Sequence, residues 1–599
     1  MRSIISVLST LLLLMVLPLL CCCGKDESSG EVNLSIILTT DMHGAFVPYD
    51  FLRQQPDSNS LGNVMTAVRR LREENPDGVI LLDNGDLIEG TPSMYYYNYV
   101  AVREQHLASR VMNFMQYDAL TLGNHDLEGG ESVYYDHLLH DYGMPWLGAN
   151  AIDSRNDRPM FKPYTIIHRK GCKIAVFGLV TSEVPTWVPK LALPHLEFES
   201  MLASANYWVP LIEQVEKPDL LIGMFHAGSE TVGSIDNNGQ KYEDGAIPVA
   251  MNVRGFDLLL IGHDHLERND TIVNNYGDTI PVFEPASHGE AFGQIDLMVH
   301  PLEKKANGHL RAEVKAQSFK TSDYPLDEEY MKFIEGAKES VDAFLDSPIG
   351  DVALELNGAS SLVGPSTIMD LVHSVQLSVS GADISMASCI SDFTYVNDDT
   401  LTMRQLFAIY KYENQISKIW MSGYDVKRFL EFGYSRQFSQ MCSADDHLLS
   451  FVCDADGKVM MDRFGPVMIT PQYNFTSAAG INYTVDVSKK IGERVTIHSM
   501  ADGSPFQMEK RYNVVLSSYQ AAGGGAFLPI GLGWNKEDIE FHTIYSTVRD
   551  MRYYINQYIR EYDSKKEVPL GHWQVVPQEW WQAAKDRDLE ILLPYLVKK

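Results

Sequence analysis

Disulfide chemistry, repetition and positive charge are all scarce in this chain of 599 residues. Only seven cysteines are present, and three of them are consecutive at Cys21, Cys22 and Cys23. The others, Cys172, Cys389, Cys442 and Cys453, show no CxxC spacing, which excludes a zinc ribbon or a dithiol redox motif. Cys172 lies beside an apolar run and reads as a small buried hydrophobe. Cys442 and Cys453 fall in one loop-like region and could pair in an oxidising compartment. There is no internal repeat or low-complexity tract, so a repeat architecture is excluded. Lys and Arg total 49 against 79 Asp and Glu, a net charge of −30. That balance excludes a general binder of nucleic-acid polymers or anionic membrane surfaces. Bound cations can still set a local field that accepts anionic substrates.

What is present is ordinary globular composition, 45% hydrophobic and 21% charged, in a chain long enough for more than one core. Arg2 precedes the apolar stretch Ile4 to Leu20, followed by the three cysteines and Gly24. This is the length of a signal h-region and marginal as a membrane span. It resembles a bacterial lipoprotein signal over residues 1–23, with lipidation fitting Cys23 best, Cys22 slightly less and Cys21 worst. Residues 24–32 then form a polar tether. The expectation is an exported chain, lipid-anchored to the bacterial envelope.

The informative pattern begins at Leu34–Thr40, an apolar run that ends in Asp41-Met42-His43. Four more runs end the same way: Val79–Leu82 into Asn84-Gly85-Asp86, Ala119–Leu122 into Gly123-Asn124-His125-Asp126, Leu220–Phe225 into His226, and Leu258–Gly262 into His263-Asp264-His265. Buried strands read as near-continuous apolar runs, and in open α/β sheets the carboxyl ends of the strands border the ligand crevice. Carboxylates and imidazoles gathered there suit a divalent metal. Helical patterns such as Asn63 to Glu74 alternate with these runs, and further strands are expected at Ile280–Phe283 and Gly293–Val299. Tyr330, Phe333, Ile334, Ala337, Val341, Phe344 and Leu345 have helical spacing; Asp323 and Pro325 precede them and Ser347-Pro348 ends the pattern. Ser546 to Tyr562 reads as a closing amphipathic helix, and Trp573, Trp580 and Trp581 in the tail read as packing.

The ordered set Asp-x-His, Gly-Asp, Gly-Asn-His-Asp, His and Gly-His-x-His resembles the calcineurin-like metallophosphoesterases, and within them the two-domain secreted 5′-nucleotidases. The resemblance implies an α/β chain built from an N-terminal αββα sandwich (33–302), a linker with a helix (303–348) and a C-terminal 5′-nucleotidase-type α/β domain (349–562), with 563–599 as a tail. It also implies two divalent cations, zinc, manganese or iron. Asp41, His43 and His265 would hold one, Asn124, His226 and His263 the other, with Asp86 bridging. Two cations about 3.5–4 Å apart acidify a water between them and clamp phosphoryl oxygens. His125 would act on the transferred phosphoryl group or the leaving oxygen, oriented by a carboxylate. The family's usual Asp three residues on is replaced by Glu128, while Asp126 follows His125 directly, so both acids are candidates. His288 falls in a loop near the site and is not expected to ligate, because the implied set is full without it.

The second half carries further landmarks of the family: Gly381 to Ser385, Tyr410 to Gln415, Tyr473 to Tyr483 and Ser518 to Phe527. The resemblance places the base between Tyr412 and Tyr519, with Asn414 beside them. Where 5′-nucleotidases carry a Gly-rich stretch with an Arg, this chain has Ala387-Ser388-Cys389-Ile390-Ser391-Asp392. That departure favours the 2′,3′-cyclic-nucleotide 2′-phosphodiesterase/3′-nucleotidase branch. The alternatives are a 5′-nucleotidase or UDP-sugar hydrolase, a thiosulfohydrolase relative, and a non-catalytic nucleotide-binding surface lipoprotein.

Overall fold

The computed structural model describes residues 30–188, 190–229, 245–351, 355–388, 390, 394–396, 400–462, 465–561 and 569–596. The signal segment, most of the tether, Cys389, Ser391 and Asp392 lie outside them.

The strands that carry the motifs are β1 (Val32–Thr39), β2 (Val79–Asp83), β3 (Ala119–Thr121), β4 (Trp146–Leu147), β5 (Tyr164–Arg169), β6 (Cys172–Val180), β7 (Leu220–His226), β8 (Leu258–Gly262), β9 (Arg268–Val273), β10 (Thr279–Glu284), β11 (Ala291–Lys304) and β12 (Leu310–Lys320). They form two six-stranded sheets, ordered β12-β11-β1-β2-β3-β4 and β9-β10-β8-β7-β6-β5. β1, β2 and β3 run parallel, as do β6, β7, β8 and β10, so their carboxyl ends emerge together. The two-residue side-chain period explains the packing. On β1, Leu34, Ile36 and Leu38 face the core between the sheets while Ile37 faces the helices. On β8, Leu258 and Leu260 face inward while Leu259 and Ile261 meet the outer helical layer. Helix α1 (Leu61–Glu74) covers the first sheet with Leu61, Val64, Met65, Val68 and Leu71.

The first unit extends to Lys320: β12 pairs with β11 along its length. Residues 310–320, whose polar sequence reads as a strand pair or linker, are an edge strand. Next come α2 (Pro92–Tyr99) in the first unit and α3 (Glu328–Leu345) as the joining helix, the latter capped by Asp327 accepting from the Tyr330 amide. The second unit is organised on a five-stranded sheet containing β13 (Ile384–Ser388), β14 (Gln415–Ser422), β15 (Thr476–Ala479), β16 (Arg511–Ser517) and β17 (Thr543–Asp550), in the order β15-β13-β16-β14-β17. The closing helix is shorter than expected: Thr543–Asp550 is an edge strand, and only Met551–Arg560 is helical. The tail belongs to the second unit, where Trp573–Val576 pairs parallel with Ile481–Asp486 and the Trp581 indole donates to Val363 O at 2.7 Å. Cys172 is a buried free thiol, and Cys442 and Cys453 are exposed free thiols. The expected disulfide is not formed: the Cys442 amide is held in its own turn by Asp446 (2.6 Å), and Cys453 bridges to Val459.

The two units meet around buried Arg552. Its guanidinium lies 4.6 Å from the Tyr95 ring of α2 and 4.4 Å from that of Phe407. It pairs with Asp550 at 2.7 Å and Glu413 at 3.0 Å, and Tyr99 of the first unit donates to Glu413 at 3.4 Å.

Candidate metal centre

Every implied ligand sits at the carboxyl end of a parallel strand: Asp41 and His43 after β1, Asp86 after β2, Asn124 after β3, His226 at the last position of β7, and His263 and His265 after β8. Close approach of these ends depends on missing side chains. A Cβ on Gly123 would meet Asp86 N and Oδ1 at 2.2 Å, and one on Gly262 would meet Asp41 Oδ2 at 2.8 Å. Asp41, His43, Asp86, His263 and His265 all hold left-handed backbone, with φ between 44° and 84°, and so does nearby His288 at 54°. Such conformations are costly for non-glycine residues and cluster at functional sites.

Three donor groups result: one joins His43 and His265 to His288, which was not expected to ligate, and two share Asp86. In the first of those two, the ligand atoms of Asp41, His43, Asp86 and His265 lie within 4.8 Å of one another; in the second, so do those of Asp86, His226 and His263. Asn124 joins the second group, its Oδ1 standing 2.8 Å from His263 Nδ1 and 3.2 Å from His226 Nε2. Asp86 belongs to both groups. Its Oδ1 accepts the His125 amide at 2.8 Å, while buried Oδ2 has no hydrogen-bond partner among the described residues and lies 3.1 Å from His226 Nε2.

These residues fit divalent cations. Nε2 of His43 and Nε2 of His265 face each other at 3.1 Å, a contact between imidazole nitrogens that needs a proton or a cation. The His226 Nδ1–H donates to Asn84 O at 2.7 Å, which fixes the tautomer and frees Nε2 for a ligand role. Burial opposes charge on His226, but Asp86 and Asp41 outweigh it and raise its pKa to about 10. The same field favours a metal ion. Burial and the neighbouring His226 push His263 down to about 4, so it is available as a neutral ligand.

His125 stands beside this cluster with its side chain 34% exposed, and Nδ1 lies 2.8 Å from Glu128 Oε1. Burial opposes its charge, yet Glu128, Asp86 and Glu89 outweigh that and raise its pKa well above the ordinary value. Of the two candidate acids, Glu128 meets the ring. Asp126 does not: its buried carboxylate accepts the amides of Gly123, Asp86, Leu87 and Ile88 at 2.8–3.0 Å. It clamps the loop that presents Asp86, a role that spacing alone could not separate from orienting His125. Sequence reasoning missed Glu89, whose carboxylate lies 3.2 Å from His43 Nδ1. His288 does enter the neighbourhood, its ring stacked on that of His43 at 4.7 Å and 5.1 Å from that of His265.

In the second unit, Tyr412 and Tyr519 both approach a third ring, Tyr473, edge-on at 6.4 and 6.5 Å. Tyr412 and Tyr473 are exposed by 38% and 42%, and Lys411 Nζ lies over the Tyr412 ring at 5.6 Å. The Asn414 carbonyl accepts the Met551 amide at 2.8 Å.

Among the described residues no helix is long and apolar enough to cross a membrane. Residues 34–267 match the Calcineurin-like phosphoesterase family, and residues 348–530 match the 5′-nucleotidase, C-terminal domain family. The chain is 24% identical to the trifunctional nucleotide phosphoesterase protein YfkN of Bacillus subtilis over 86% of its own length, but spans only 38% of that protein. It is 24% identical to a 2′,3′-cyclic-nucleotide 2′-phosphodiesterase/3′-nucleotidase of Yersinia enterocolitica, covering 92% of this chain and 88% of that one. The solved NAD nucleotidase of Haemophilus influenzae shares the fold at a TM-score of 0.56 and 17% identity, covering 91% of this chain and 100% of that one. The chain is a two-domain hydrolase in which the first unit is a calcineurin-like phosphoesterase domain and the second a 5′-nucleotidase C-terminal domain.

Proposed function

We propose that the chain hydrolyses nucleotide phosphoesters at a dinuclear centre, with 2′,3′-cyclic nucleotides and 3′-nucleotides as its preferred substrates. The observation that carries this reading is Asp86, shared between two donor groups, with Oδ2 lying 3.1 Å from His226 Nε2 of one and 4.0 Å from His43 Nε2 of the other. Divalent cations, when bound, supply Lewis acidity to the attacking water and to the phosphoryl oxygens. Asp41, His43 and His265 would hold one; Asn124, His226 and His263 the other. His125, kept cationic by Glu128, places positive charge and a proton beside the phosphoryl group and serves the departing oxygen. Tyr412 and Tyr519, with Tyr473 between them, offer ring faces that accept any base, since stacking does not read base edges.

The preference for cyclic and 3′-phosphates rests on the run from Ala387 to Asp392, which lacks the Arg of the 5′-nucleotidase stretch it resembles, and on the Yersinia enterocolitica relative. The 5′-nucleotidase reading is the second, favoured by the matching C-terminal family. Export with a lipid anchor at one of Cys21 to Cys23 is part of the same proposal, supported by the apolar leader. A panel of 5′-, 3′- and 2′,3′-cyclic nucleotides assayed with manganese, cobalt and zinc decides between the readings. Higher kcat/KM on the cyclic and 3′-substrates is expected. Preference for 5′-monophosphates replaces this reading with the second, and binding without turnover in metal-replete protein overturns both.

A further inference from the structure

Glu89 is neither at a strand end nor in the donor groups; it lies in the turn that leads from Asp86 into α2. Its Oε2 accepts from Nδ1 of His43 at 3.2 Å and stands 3.9 Å from Nδ1 of His125, with the side chain 14% exposed. The opposite nitrogen of His43 is the one that faces the cluster, 3.1 Å from His265 Nε2 and 4.0 Å from Asp86 Oδ2. The turn is moulded onto the Asp-x-His segment. Gly90 has φ +104°, and a Cβ there would meet His43 O at 2.8 Å and His43 Cβ at 2.9 Å. On either side of Glu89, Asp126 holds the Leu87 and Ile88 amides and Thr91 Oγ1 donates to Gly44 O at 3.2 Å. Asn98 of α2 donates to Ile88 O at 2.9 Å. These contacts fix the backbone on both sides of Glu89 and so set the place from which its carboxylate meets His43.

We infer that Glu89 is a positioning residue of the metal centre: its carboxylate takes the Nδ1–H of His43 and so directs the Nε2 lone pair at the cation held with Asp41 and His265. It acts through His43 and touches no reacting atom. Carboxylates behind metal-ligating histidines fix ring orientation and raise ligand basicity, and their loss typically lowers metal affinity roughly 10–100-fold. The inference rests on the dinuclear part of the proposed function, not on its substrate.

The test is cobalt titration of the metal-free full chain, followed by calorimetry and visible absorption, for the wild type, Glu89→Ala and Glu89→Gln. Glu89→Ala is expected to weaken one of the two cobalt sites roughly 10–100-fold and alter its absorption band, leaving the other site within about twofold. Glu89→Gln, whose amide oxygen still accepts the His43 hydrogen bond, is expected to stay within about threefold of the wild type. Circular dichroism confirms that both variants are folded. Two wild-type sites in Glu89→Ala overturn the inference, as does a Glu89→Gln variant no better than Glu89→Ala. Wild-type protein that takes up two cobalt ions yet cleaves no nucleotide overturns the substrate reading and leaves this inference standing, because the titration uses no turnover.

Discussion

The two ends of β8 invite comparison, since each gathers histidine and carboxylate in a buried setting. At the amino end, Asp257 accepts the Leu221 amide at 2.8 Å, Lys305 at 2.7 Å and His309 Nδ1 at 2.7 Å, while Glu213 lies 2.8 Å from the other His309 nitrogen. Two cations face two carboxylates, and the cluster closes on itself. At the carboxyl end, His263 and His265 join a group in which imidazole nitrogens face one another at 3.1 Å and Asp86 Oδ2 lies among several imidazoles, 3.1 Å from His226 Nε2 and 4.0 Å from His43 Nε2. The same residue types are self-sufficient at one end and incomplete without a cation at the other. The difference lies in charge balance and in the left-handed backbone found only at the carboxyl end among these residues.

The contrast can be broken or sharpened by substitution. Asp86→Ala is expected to lose a metal and to reduce kcat at least ~10³-fold, since metal-ion catalysis supplies several kcal/mol; near-normal turnover on added metal would erase the functional side of the comparison. Asp257→Ala should do the reverse. It leaves His309, Lys305 and a backbone amide without their acceptor and should cost roughly 3–5 kcal/mol of stability by urea unfolding, while kcat/KM of the folded fraction stays within about twofold. His125→Ala should retain both metals by elemental analysis and lower kcat roughly 10²–10⁴-fold. The smallest effect is in pH. Burial disfavours charge on His309, but Asp257 and Glu213 outweigh it and raise its pKa to about 9. The raised value makes this contribution complete below about pH 6.5, and it is lost as pH climbs through about 9. The urea midpoint should fall across that window, and the fall should shrink in His309→Gln.

The carboxyl-end cluster was legible because five apolar runs each deliver a polar residue where a strand stops, and the buried sheets leave few places for those residues except beside one another. What lay hidden is long-range. Asp126 and Glu128 are two residues apart and chemically alike, and only the fold turns one toward backbone amides and the other toward His125. Glu89 follows Leu-Ile in a stretch that announces a helix start, so its partnership with His43 left no local mark. Residues 543–550 pair at an edge with only Asp550 buried, and an edge strand without a buried face shows no clean two-residue period. Tyr473 stood among the family landmarks, but its place between Tyr412 and Tyr519 depends on three distant segments converging.

The left-handed residues at the centre also bear on how such a chain would drift. Glycine would adopt that conformation freely at Asp41, His43, Asp86, His263 and His265, but at Asp86 and Asp41 it would strip the His125 and His263 amides of their acceptor. The two carboxylates therefore hold the loops together as well as facing the cation, so a chain that lost its chemistry could not shed them without cost.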